Sequence, residues 1–202
     1  MVGQTTEQNQ SGVEAGAFDP VPTRIQELPE LIVDPATAEI RSQMNETLVD
    51  LGTRLAIIHM TAAEAYLSQG MFNEAIPHVD AAVGMDRQNT ANLNQLGYVR
   101  YLSGDDRGAA DAFQEVLGVT PGDADALYNL GMIAFTNSDL GRAEACFSDC
   151  AQVDPRNAEV WNNLGVVLFQ QGKAAEARNC FQQSLAVEPG NEDAQANLRD
   201  MG

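Results

Sequence analysis

The sequence predicts an all-α protein built from stacked helix–turn–helix units. Three observations carry that expectation. Apolar residues make up 44% of the 202 residues and aromatics only 6%. That balance suits close-packed helices better than a β-sandwich rich in Val, Ile, Thr and aromatics. The chain also repeats itself at a fixed shift of 34 residues. Within each repeat a Gly or Ser stands at mid-unit, and in three of the four a Pro stands near the end, where helices turn and stop.

The repeat is read by aligning four units, 56–89, 90–123, 124–157 and 158–191, about two-thirds of the chain. Trp161, Leu164, Gly165 and Pro189 fall over Leu127, Leu130, Gly131 and Pro155, then over Leu93, Leu96, Gly97 and Pro121. His59, Ala62, Ala63 and Arg87 form a weaker first copy. In the second half of each unit, Ala75, Ala109, Ala143 and Ala177 share one position. Val79, Phe113, Phe147 and Phe181 share the next. The mid-unit turn reads Gly70, Gly104, Ser138 and Gly172. Small residues at the Gly and Ala positions let two helices approach, and the Leu and Phe series fill the space between them. Asn89, Asp123, Asn157 and Asn191 stand where the next helix needs an N-cap acceptor. No unit can bury its apolar face alone, so stability comes from stacking.

These residues resemble the tetratricopeptide pattern, W-x2-L-G-x2-Y…A-x3-F…P at a period of 34. The unit 158–191 matches at Trp161, Leu164, Gly165, Ala177, Phe181 and Pro189, and departs at Leu168, where the family favours Tyr. The resemblance implies a right-handed superhelix, an α-solenoid of tetratricopeptide units. Residues 192–202 are expected to form a solvating cap helix with Ala194 and Leu198 turned inward.

Upstream of the repeats, residues 1–17 read as a polar disordered tail and 18–35 as an extended, proline-punctuated segment. Residues 36–55 are expected to be an N-terminal helical extension. Ile40, Met44, Leu48, Leu51, Leu55, Ile58 and Ala62 recur at steps of four and three, a heptad-like stripe. Gly52 and Thr53 can divide it into two helices with Thr53 as an N-cap, whereas an unbroken helix over 36–68 would span roughly 50 Å. The stripe suits either a cap on the first repeat or a homodimer seam through 36–68.

The formal net charge is −18, and Lys173 is the sole lysine. Such a field repels nucleic acid and anionic membrane surfaces. No apolar run approaches the ~18 residues a membrane span needs, and residues 1–17 carry neither a basic nor an apolar signal region. A cytoplasmic location is the expectation. Cys146, Cys150 and Cys180 read as small buried hydrophobes. His59 and His78 do not stand at ligand spacing from them and read as packed structural histidines. Phosphate loops, nucleophile elbows, H-E-x-x-H and C-x-x-C motifs are all absent, so no catalysis, cofactor or metal is expected.

The resemblance implies a concave groove lined by positions 2, 5, 6, 9, 12 and 13 of each first helix. In the second unit these give Asn94, Gln95, Tyr98 and Tyr101, and in the third Asp125, Tyr128, Asn129, Met132 and Phe135. The fourth gives Glu159, Asn162, Asn163, Val166 and Phe169, the cap adds Asp193 and Asn197, and the first unit offers Ile57, Met60, Glu64 and Leu67. Asn129, Asn163 and Asn197 form an amide ladder, extended by Gln95, that could grip a peptide backbone. It is similar to the asparagine ladder in the repeat domain of O-linked N-acetylglucosamine transferase. Asp125, Glu159 and Asp193 form an acidic row, although first-turn carboxylates also favour the helix dipole. Tyr98, Tyr101, Tyr128, Met132, Phe135 and Phe169 would make an apolar floor. The expected function is a non-catalytic scaffold or adaptor, an assembly factor or chaperone. It would bind an extended basic or apolar segment without a Lys/Arg carboxylate clamp. The alternative is a self-assembling scaffold using the N-terminal segment or helix.

Overall fold

The computed structural model describes residues 35–201; the expectations for 1–17 and, apart from Pro35 at the start of the first helix, for 18–35 lie outside them. The described chain is helical throughout: α1 (Pro35–Leu67), α2 (Phe72–Met85), α3 (Thr90–Leu102), α4 (Asp106–Val119), α5 (Ala124–Thr136), α6 (Leu140–Val153), α7 (Ala158–Gln170), α8 (Ala174–Val187) and α9 (Glu192–Asp200). The starts of α3, α5, α7 and α9 keep the 34-residue phase, as do those of α2, α4, α6 and α8. Each first helix packs on its own second helix and on the second helix before it, which makes an α-solenoid.

The turns between units follow the sequence signals. Asn89, Asp123, Asn157 and Asn191 accept from backbone N–H groups of the first turns of α3, α5, α7 and α9. The mid-unit turns all lie at positive φ: 71° at Gly70, 85° at Gly104, 62° at Ser138 and 80° at Gly172. Ser138 pays a steric penalty there that glycine escapes. The second helices end two residues before Pro121, Pro155 and Pro189. Yet α2 ends in the same phase ahead of Arg87, with Asp86 extended, so proline reinforces the stop without being required for it.

The close approach within each unit has a direct geometric cause. A Cβ added at Gly97 would meet the Phe113 ring at 2.7 Å, at Gly131 the Phe147 ring at 2.7 Å, and at Gly165 the Phe181 ring at 2.6 Å. All three rings are buried. The first unit solves the same contact differently, pairing Ala63 with Val79, both fully buried. The extra methyl on one helix is matched by a smaller side chain on the other. Cys150 lies in the interior and donates its thiol to Ala124 O at 3.3 Å. Burial raises the Cys150 and Cys180 thiols to about 11, so both are inert packing groups at neutral pH. Among the described residues no cluster of three His, Cys, Asp or Glu could hold a metal. His59 Nδ1 lies 3.1 Å from His78 Nδ1, and Tyr66 stacks on His78.

The structure bears on two readings that the sequence left open. Helix α1 runs unbroken for 33 residues through Gly52 and Thr53. The residue aligned with the later N-caps is Leu55, which has no acceptor to start a new helix, and no proline stands at 53. Thr53 Oγ1 instead donates back to Val49 O within the helix. The boundary placed at 55 therefore falls inside one helix. Nor does the upstream half pack on the first repeat as a cap, because Ile40, Met44, Val49 and Leu51 stay exposed. At the other end of the described residues, α9 has Ala194 fully buried and Leu198 packed against the apolar interior.

Two outcomes are expected from the packing. Gly131→Ala should lower stability by about 1–3 kcal/mol through overpacking, and adding Phe147→Val should recover much of that loss; urea unfolding of the two variants checks it. Ser138→Gly should raise stability by about 0.5–1 kcal/mol in the same measurement.

Candidate functional site

The first helices present one side-chain surface because the 34-residue phase repeats their orientation. Adjacent units are stitched together there by hydrogen bonds. The Tyr128 hydroxyl donates to Glu159 Oε1 and accepts from Asn163 Nδ2 at 3.3 Å. Asn163 Nδ2 also lies 3.7 Å from Met132 Sδ. One unit further on, Asn197 Nδ2 donates to Asn162 Oδ1 at 2.9 Å. One unit back, Asn94 Nδ2 donates to Asp123 Oδ1 at 3.2 Å, while that oxygen also caps Ala126 N at 2.9 Å. Position 5 of one unit thus reaches position 6, position 2 or the N-cap of the next.

These contacts sort the expected site residues. Asn162 is buried and serves as a strut for Asn197, so it does not face the surface as a reader. Asn94 is half-buried, and its Oδ1 is buried without a partner among the described residues. Tyr101, Tyr128, Met132, Phe135 and Val166 are half-buried against the apolar interior. Tyr98 and Phe169 project, each nearly half exposed, at opposite ends of the array's middle. In the first unit Met60 and Leu67 pack inward, while Ile57 and Glu64 are exposed.

The amide ladder is half engaged. Asn129 Nδ2 donates to Asp125 O of its own helix at 2.8 Å, and Asn163 and Asn197 donate to neighbouring units. Within the described residues, none of their Oδ1 atoms accepts a hydrogen bond, and Gln95 makes no side-chain bond. The ladder therefore offers acceptors. The acidic row adds more of them: Asp125, Glu159 and Asp193 are exposed and form no ion pair among the described residues. The only basic residue on α3, α5 and α7 is Arg100, which is held by Asp80 Oδ1 at 3.0 Å and Gly108 O at 3.3 Å. Lys173 is likewise occupied, by Glu144 at 2.7 Å. Nothing on these three helices offers a free cation to grip a carboxylate.

Sequence reasoning did not find the Tyr128 hub, the double role of Asp123, or the Trp161 Nε1 bond to Pro155 O at 3.0 Å. A signal was present. The pairs 128/163 and 162/197 are each one residue more than a repeat apart, and Gln195 repeats the Trp161 bond by donating to Pro189 O.

Comparison with known proteins agrees with this geometry. Family profiles described as tetratricopeptide repeat match residues 158–191 and, in overlapping pairs, 60–124 and 94–152. The chain belongs to the tetratricopeptide-repeat family. Comparison with curated protein sequences finds no match. Among solved structures, a crystal structure of MamA is similar at TM-score 0.68 and 20% identity, covering 73% of this chain and 80% of that one. YrrB, described as having an unusual peptide-binding site, is similar at TM-score 0.64 and 20% identity, covering 87% and 95%. The first such domain of Spaghetti, bound to the HSP90 peptide SRMEEVD, is similar at TM-score 0.54 and 21% identity, covering 57% and 92%. At these identities the likeness is one of fold.

The Tyr128 phenol is pushed above the ordinary tyrosine range, first by burial and then by its bond to Glu159 and that group's charge. Of the four tyrosines, one should ionise last in an alkaline absorbance titration. Tyr128→Phe should remove that step, and Glu159→Gln should move it to lower pH.

Proposed function

We propose that this chain is a non-catalytic interaction scaffold that binds an extended, cationic or apolar protein segment along the face of its first helices. The observation that carries the reading is the surplus of acceptors on that face. The Oδ1 atoms of Asn129 and Asn163 and the carboxylates of Asp125 and Asp193 are acceptors left unused within the described chain, and Glu159, bonded by Tyr128 at Oε1, keeps further acceptor capacity without an ion pair. A peptide backbone supplies N–H donors at regular intervals, and Arg or Lys side chains supply charged ones. Tyr98 and Phe169 add exposed aromatic surface of the kind that anchors a bound segment.

The same chemistry disfavours an acidic C-terminal tail. The Spaghetti domain is bound to the peptide SRMEEVD. This face would repel such a sequence, because the one basic residue of α3, α5 and α7 is already paired. An assembly-factor or chaperone role in the cytoplasm fits a scaffold that grips backbone and charge without reading a long sequence. No helix among the described residues is long and apolar enough to cross a membrane.

Alanine at Asn129 and Asn163 together should weaken binding of an Arg- and Leu-bearing extended peptide by about 1–3 kcal/mol. Titration calorimetry with such peptides, and with acidic C-terminal peptides as the comparison, checks this. Unchanged affinity in the double variant, or preference for the acidic peptides, would sink the reading.

A further inference from the structure

A second surface lies on α1, and it is unlike the first. At the third position of each later first helix stand Asn92, Ala126 and Val160, and in α9 Ala194, all buried. Val160 packs beside Cys150 and Ala151 of the preceding second helix. The residue in that position on α1 is Ile58, which is 63% exposed. The cause is topological. Where later units have a preceding second helix and a turn, the chain at 38–55 simply continues α1 upstream. The face that a neighbouring helix buries elsewhere is therefore uncovered here, and the upstream extension lengthens it with Ile40, Met44 and Leu51.

The stripe has two properties that bear on what covers it. First, at about 100° per residue, Ile40, Met44, Leu48, Leu51, Leu55, Ile58 and Ala62 share one side. The acids of the helix, Glu39, Glu46, Asp50 and Glu64, lie on the opposite side. In a chain of net charge −18, this face carries no carboxylate and is bordered by Arg41 and Arg54. Two copies can meet here with little of the repulsion that the rest of the molecule imposes. Second, the spacing is nearly palindromic about Leu51. Ile40 mirrors Ala62, Met44 mirrors Ile58, and Leu48 mirrors Leu55 within one residue.

We propose that α1 pairs with α1 of a second copy as an antiparallel two-fold dimer centred on Leu51. A two-fold contact needs a patch that is its own complement, and the palindrome supplies one. Covering the stripe on both copies buries on the order of 1,000 Å², the lower range of specific interfaces. The antiparallel arrangement also sends the two acidic arrays to opposite ends of the helix pair. The surface is separate from the peptide-binding face, so either reading can fail without the other.

Sedimentation equilibrium of the full chain at micromolar concentration should give twice the chain mass. Leu51→Glu puts two carboxylates against each other on the axis and should weaken the dimer at least ~100-fold. Leu51 is exposed in the single chain, so the helix content by circular dichroism should not change. Leu51→Cys should cross-link to its mate on mild oxidation. Ile40→Cys should not, since antiparallel pairing holds the two sites about 33 Å apart; cross-linking at Ile40 would overturn the antiparallel arrangement. A monomer in which Leu51→Cys labels freely, or a dimer unaffected by Leu51→Glu, overturns the proposal. A monomer in which Leu51→Cys resists labelling also overturns it, and assigns the stripe to this chain's own N-terminal segment.

Discussion

The contact between a helix glycine and a phenylalanine ring sets the scale of the whole array. Gly97 on Phe113, Gly131 on Phe147 and Gly165 on Phe181 leave no room for a single methyl. That spacing fixes how the two helices of a unit cross, and hence where each unit presents its outer face to the next. The first unit shows that the constraint acts on the pair. Ala63 and Val79 occupy the same places, and both are fully buried. What is held across the units is a close crossing in which a small residue on one helix faces a larger one on the other. Ser184 shows a local failure of the same logic. It is fully buried, and its hydroxyl has no partner among the described residues, where the aligned residues are Ala82, Val116 and Cys150.

With the crossing fixed, the face of the first helices becomes a consequence of period. The repeat distance brings position 5 of one unit to positions 2 and 6 of the next, and polar side chains bridge the gap. These bridges consume donors. Asn163 and Asn197 each give an amide N–H to a neighbouring unit, and Asn129 gives one to its own helix. Their carbonyl oxygens and the carboxylates remain for a ligand and outnumber the amide donors left beside them. The polarity of the surface is thus a by-product of how the array is stitched, and the scarcity of basic residues on α3, α5 and α7 leaves it uncorrected.

Most of the fold was legible in the sequence because its determinants are local and recur. Asn89, Asp123, Asn157 and Asn191 cap where their spacing says they should, and Gly70, Gly104, Ser138 and Gly172 turn where small residues recur. Helix α1 was less legible because Gly52 and Thr53 look like a break when read alone. The deciding residue is Leu55, whose lack of an acceptor matters only once it is aligned with the later caps. In the site, burial was the hidden variable. Asn162 and Asn163 are neighbours of identical chemistry, yet one is buried as a strut and the other is half exposed. Nothing in a single unit distinguishes them. The difference comes from Asn197 and Tyr128, each 35 residues away.

Helix α9 gives the molecule a direction. It repeats the first-helix pattern for nine residues, from the cap at Asn191 through buried Ala194 to Asp200. Its outward residues Glu192, Asp193, Arg199 and Asp200 are charged and exposed. The two ends of the described array therefore differ in chemistry: α9 presents exposed charge, whereas α1 presents exposed Ile40, Met44, Leu51 and Ile58. An apolar contact made through α1 would find no matching surface on the outer side of α9, so like would have to meet like.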